Sequence, residues 1–216
     1  MDFLSNLSKN QRDNLLQGLA FFSRIFWGPE QKTCAEIVSG SSLRWSSQLA
    51  PLLDPSFAET MAELKTIIEE PGDDDSLFRY LEEAYIRLFV NAINGIPAPL
   101  YQSCYEAENA PLMGPPAIMM KERFESAGLS MAGKVNEPPD HLSVQIEYLY
   151  FLLEKGFREE DRAMIADASS FASETMLPWV AKFHKKLDVE TGRPFYTSMA
   201  SALLCMLEFI GRFNIE

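Results

Sequence analysis

Apolar residues return every three or four positions along most of this chain, and nowhere do they alternate for long enough to suggest a sheet strand. Leu15, Leu19, Phe22 and Phe26 share one face of an opening helix, which Gly28 and Pro29 in "WGPE" bring to a stop. A second helix is expected over about 57–68, ahead of the acidic turn "EEPGDDD". Leu77, Leu81 and Leu88, with Tyr85 or Ala84, mark a third, capped by Asp74 or Asp75. Another falls near 117–127, and Leu142, Ile146, Leu149 and Leu153 define a long one that runs to Gly156. Glu159, Glu160 and Asp161 open the next as the helix dipole favours, and a further helix follows "LPW". Met199, Leu203, Met206, Ile210 and Phe213 line the last. The pattern predicts an all-α, single-domain helical bundle over residues 1–216, with 91–141 as its irregular, loop-rich part.

Composition narrows the partners. With 47% hydrophobic and 23% charged residues the chain can bury a core without metal or disulfide. A net charge of -12 argues against nucleic acid or an anionic membrane surface, either of which needs a strong basic patch, and favours a cationic partner. Cys34, Cys104 and Cys205 are odd in number and lack metal-knuckle spacing, which fits reduced thiols in the cytoplasm. "MDFLSNLSKNQRDN" has no apolar core of a secretion leader. The longest apolar runs, "YLYFLL" and "ALLCML", fall far short of the roughly 20 residues that span a bilayer. A soluble cytoplasmic protein without stable membrane insertion is the expectation.

"VNEPPDHLSV" concentrates the candidate chemistry, because it holds one of only two histidines beside two acids and behind two prolines. Asp140 precedes an amphipathic run, so its carboxylate is expected to cap the helix by accepting the N–H of Leu142 or Ser143, worth about 1 kcal/mol. Pro138 and Pro139 stiffen the entry. A hydrolase would take Ser143 as nucleophile, His141 as base and Asp140 or Glu137 as orienter. Residues two apart on a helix point away from each other, which weighs against that pairing. A metal held by Glu137, Asp140 and His141 would find its next histidine only at His184. No glycine loop is built to cradle phosphate, so neither nucleotide nor other cofactor is expected. Binding remains: an acid pair beside an apolar, proline-rich loop suits a ligand that is both cationic and greasy, and a peptide has both properties.

Four motifs in order, "EEAYIRLFV", "IPAPLYQSCY", "EPPDHL" and "LPWVAKF", resemble the TorD/DmsD/NarJ family of maturation chaperones for molybdenum-containing oxidoreductases. The resemblance covers about 77–183, roughly half the chain. It implies a TorD-like, all-helical fold without catalytic activity, and no metal or cofactor is expected. It implies binding of the twin-arginine signal peptide of a molybdoenzyme catalytic subunit, restraint of premature export, and help with cofactor insertion and folding. Carried across by position, Glu137, Pro139, Asp140 and His141 fall in the motif linked to the peptide. Leu88, Phe89, Pro97, Pro99, Tyr101, Ser103 and Tyr105 fall in the neighbouring segment. Leu88 and Phe89 also suit core packing, Pro97, Pro99 and Tyr101 also suit loop shaping, and His141 suits either a core or a groove. The alternatives are a hydrolase or nucleotide-using enzyme built on Asp140 and His141, and a helical scaffold that only docks subunits. The protein is expected as a monomer or, through its connectors between 111 and 139, a helix-exchanged dimer.

Overall fold

The structure, a computed structural model, describes residues 7–91, 95–107, 112–130, 137–189 and 194–213. Ser8 opens α1 (Lys9–Trp27) with a reciprocal cap: its hydroxyl accepts the Gln11 N–H while the Gln11 side chain accepts the Ser8 N–H. Gly28, at φ 126°, ends the helix where the sequence places its stop. Two short helices that periodicity did not mark follow, α2 (Gln31–Val38) and α3 (Arg44–Leu49). Asp54 caps α4 (Pro55–Glu69) by accepting the Ser56 N–H.

Asp73, not Asp74 or Asp75, caps α5 (Asp74–Tyr85), its Oδ1 lying 2.8 Å from the Ser76 nitrogen. The other two acids occupy the first turn, where the helix dipole stabilises them without a cap bond. A π-helical turn, Ile86–Val90, extends α5 and buries Leu88 and Phe89. α6 (Pro115–Ser126) lies within the stretch 91–141, and α7 (Leu142–Glu159) follows it. α7 does not stop at Gly156; Glu160 ends it in the left-handed region at φ 54°. Asp161 alone then begins α8 (Arg162–Ser170), accepting the Met164 N–H. A π-helical stretch, Phe171–Met176, joins α8 to α9 (Leu177–Val189), so "LPW" forms the first residues of α9 and does not precede it. That stretch shifts the backbone bonding pattern just where Pro178 lacks a donor. α10 (Pro194–Ile210) completes the helices.

Three stripes read from the period form the centre of the core. Leu15, Leu19, Phe22 and Phe26 of α1, Leu142, Ile146, Leu149 and Leu153 of α7, and Met199, Leu203, Met206 and Ile210 of α10 are all fully buried. Each such side chain contributes roughly 1.5–3 kcal/mol against exposure. α1 lies along α7, and α10 packs on α4 and α9. Trp45 of α3 fits against Phe21, Phe22 and Phe57. No helix among the described residues is long and apolar enough to cross a membrane. The single β pairing among them is an isolated antiparallel bridge between Tyr101 and His141, and that bridge organises the site.

Candidate functional site

The turn before α7 is held by backbone first. The His141 N–H donates to the Pro138 carbonyl at 3.0 Å, the Gln102 N–H to the Asp140 carbonyl at 3.1 Å, and the Leu142 N–H to the Leu100 carbonyl at 2.8 Å. These bonds lay 100–102 antiparallel to 140–142 and so fasten the loop before the 3₁₀ turn to the residues that enter α7.

Because His141 pairs with Tyr101 in the bridge and Asp140 lies in the turn before it, the helix begins one residue later than the sequence suggests. His141 is the cap: at ψ 139° it is still extended, and its Nδ1 accepts the Ser143 N–H at 3.2 Å. Asp140 points the other way and is wholly buried. Its Oδ2 accepts the Ser103 N–H at 2.8 Å and the Ser103 hydroxyl at 2.5 Å. The Ser103 hydroxyl in turn accepts the Gly114 N–H at 3.1 Å, at the entry to α6. Oδ1 of Asp140 is enclosed without a hydrogen-bond partner among the described residues.

His141 is 3% exposed. Its ring stacks on Trp27 of α1 at 4.8 Å and meets the edge of Tyr101 at 5.2 Å. Burial drives its pKa down to about 4, although the nearby carboxylates of Glu137 and Asp140 pull the other way. The imidazole is therefore neutral near neutral pH, and since Nδ1 is accepting a bond, its proton is assigned to Nε2.

Glu137 is half-buried, and its Oε2 accepts the Tyr101 hydroxyl at 2.7 Å. Burial, followed by this bond and the charge of Glu137, holds the Tyr101 phenol well above its ordinary range. Tyr85 stands close enough that burial and the same carboxylate push it to about 12, while its hydroxyl donates to the carbonyls of Phe26 and Trp27. Beneath this layer Trp179 donates to Gln145, and Gln145 donates to Gln102. Tyr105 is buried, its hydroxyl on the Pro99 carbonyl and its own carbonyl receiving the Lys182 ammonium.

The eleven sequence candidates thus divide into two layers. Leu88, Phe89, Ser103, Tyr105, Asp140 and His141 are interior, while Pro97, Pro99, Tyr101, Glu137 and Pro139 remain half-buried at the surface. Trp27, Tyr85, Gln145 and Trp179 complete the arrangement without having been candidates: Tyr85 and Trp179 stand within the motifs "EEAYIRLFV" and "LPWVAKF" but read there as core, while Trp27 and Gln145 stand outside all four motifs. The hydrolase pairing is not formed: the Nδ1 of His141 is occupied by a backbone N–H, and the Ser143 hydroxyl is buried without a partner among the described residues. No group of three or more His, Cys, Asp or Glu side chains among the described residues is placed to hold a metal.

A protein-family model described as the nitrate reductase delta subunit matches residues 50–185. Chaperone protein TorD of Vibrio cholerae is 27% identical over 171 residues, covering 68% of this chain and 77% of its own. Chaperone protein TorD of Shewanella oneidensis is 26% identical over 178 residues, with 80% and 77% covered. The crystal structure of a redox enzyme maturation protein from Archaeoglobus fulgidus superposes with a TM-score of 0.55 over 89% of this chain and 93% of that one. At 22% identity it speaks for the fold. Fold and sequence together define an all-α, TorD-like maturation chaperone. The chain belongs to the nitrate reductase delta subunit family.

Proposed function

We propose that this protein binds the twin-arginine signal peptide of a molybdenum-containing oxidoreductase subunit in the cytoplasm, restrains premature export, and assists cofactor insertion and folding. It does so as one domain and without catalysis of its own. Family membership carries the reading, because the matched span 50–185 takes in every candidate residue from Leu88 to His141.

The surface chemistry supports it. The Glu137 carboxylate lies beside the Tyr101 ring on a surface shaped by Pro97, Pro99 and Pro139. A guanidinium gains most where a carboxylate is flanked by apolar walls that lower the local dielectric. Ile86, Val90 and Ile96, on the turns leading into this loop, are exposed and offer cover to the apolar part of a signal peptide. Asp140 and His141 then serve as the frame that fixes the loop, and the half-buried layer makes the contact.

Calorimetric titration with a twin-arginine signal peptide and its lysine-lysine counterpart tests this. The arginine peptide is expected to bind more tightly, and both to weaken as salt rises, because exposed charges are screened over about 10 Å at 0.1 M. Equal affinity for the two peptides would rule out arginine recognition.

A further inference from the structure

Away from that surface, a cleft of about 580 Å³ opens between α6, α7 and α8. Pockets of roughly 300–1,000 Å³ accept ligand side chains and small ligands. Tyr148 and Leu152 of α7 form an apolar floor, and Met119 and Met164 form flexible lips on either side. None of the candidate residues at the Glu137 surface lines it.

The apolar character continues outside. Met119 is 52% exposed, as are its neighbour Ile118 in α6 and Leu112 and Met113 just ahead of that helix. A cluster of large apolar side chains left in water at one helix end marks an interaction surface.

The charge in the cleft is one-sided: Glu122, Asp161 and Asp167 face a single guanidinium, that of Arg123. Arg123 lies 3.2 Å from Asp167 and 5.1 Å over the Phe171 ring. One guanidinium is thus already seated between a carboxylate and an aromatic face, as such groups prefer. Asp161 commits one oxygen to capping α8, while Glu122 is exposed at the rim.

We infer that this cleft is a second docking site, which takes an arginine-bearing apolar segment of a polypeptide partner, the methionines covering its apolar side chains and Glu122 and Asp161 its guanidinium. The charge complementarity selects a basic occupant, and the exposed apolar stretch beside it selects one whose neighbouring residues are greasy.

The test uses the full chain with 13C-methyl methionine, titrated with a short blocked peptide of leucine and arginine. The methyl signals of Met119 and Met164 are expected to shift, while that of Met61, in a separate hollow beside α4, stays in place. Asp161→Asn keeps the cap, since an amide oxygen still accepts the Met164 N–H, and is expected to weaken binding about tenfold, as does Glu122→Gln. Arg123→Gln removes the like charge next to the incoming guanidinium and is expected to tighten binding. Unmoved Met119 and Met164 signals would overturn the inference, as would undiminished affinity in both Asp161→Asn and Glu122→Gln. So would the same shifts produced by raising protein concentration alone, which would make a second copy the occupant. Thermal unfolding of each variant verifies that the fold is retained, and an Arg123→Gln protein that folds yet binds no more tightly also counts against it.

Discussion

Ser103 and Asp140 meet through two hydrogen bonds to one oxygen, the Ser103 N–H at 2.8 Å and its hydroxyl at 2.5 Å both donating to Oδ2. Since that hydroxyl also accepts the Gly114 N–H, one buried carboxylate fixes the turn before α7, the 3₁₀ turn Gln102–Tyr105 and the entry to α6. The acid in the motif acts on the shape of the loop, and through the loop on any peptide surface built from Pro97, Pro99 and Tyr101.

Truncating this carboxylate should therefore be costly to the fold. Asp140→Ala leaves the Ser103 N–H without an acceptor in the interior, and a loss of about 2–4 kcal/mol is expected. Ser103→Ala removes one donor and the acceptor for Gly114, with an expected cost of about 1–2 kcal/mol. Urea unfolding measures both as a lower midpoint at constant slope. An Asp140→Ala protein with the wild-type midpoint would show that the buried pair contributes nothing.

His141 supplies a pH dependence whose sign is fixed by its surroundings. Its folded pKa of about 4 lies below the ordinary 6.5, so the neutral ring is the form the fold stabilises. Above about 6.5 both states hold a neutral ring, and the contribution is fully present. As the pH falls toward 4 the unfolded chain takes up a proton that the folded one resists, and stability declines. Protonation also destroys the Nδ1 lone pair that caps α7. His141→Asn keeps a cap acceptor but does not titrate. The stability difference between wild type and this variant is expected to shift by on the order of 3 kcal/mol from neutral pH down to about 4, measured by urea unfolding at each pH. A difference that stays flat would place the imidazole in solvent.

What could be read in advance follows from the range of each interaction. Leu15 through Phe26, Leu142 through Leu153 and Met199 through Phe213 repeat with the helical period, so α1, α7 and α10 and their buried faces were legible locally. α2 and α3 were not, because each holds too few turns for a period to emerge between Gly28 and Pro55. The same distinction divides the site. That Glu137, Asp140 and His141 form a polar cluster before a helix was readable, whereas the direction in which Asp140 points depends on Ser103, 37 positions earlier. The stack of Trp27 on His141 had no local trace at all.

Glu137 and Tyr101 separate recognition from stability. Both are only half-buried, so Glu137→Gln is expected to cost no more than about 1 kcal/mol. Binding of a twin-arginine peptide should nevertheless weaken by about tenfold and lose part of its salt dependence, because a charge-assisted contact becomes a neutral one. Tyr101→Phe removes the hydroxyl that Glu137 now accepts and leaves that oxygen to the ligand, so affinity should hold or rise. Fluorescence anisotropy with a labelled peptide measures both. Tight, salt-sensitive binding by Glu137→Gln would move the acidic contact elsewhere.

Gly156 offers a final check on how α7 meets α8. Its sequence position suggests a helix stop, yet it lies inside α7, where alanine would ordinarily be favoured by about 1 kcal/mol. A Cβ built there would stand 2.6 Å from Cγ1 of Ile165, a buried side chain of α8, and 3.4 Å from the Asp161 carbonyl oxygen. Ile165 is stiff at that atom because it is β-branched, so it cannot simply swing aside, and the helices must part. The cost of such overpacking, about 1–3 kcal/mol, exceeds the gain in propensity, and Gly156→Ala is expected to be destabilised on balance. Pairing it with Ile165→Ala should recover the clash component, so the double variant loses less than the sum of the two single losses. Additive losses in the urea midpoints would mean that α7 and α8 do not touch at this residue, and that Gly156 is present for some other reason than close approach.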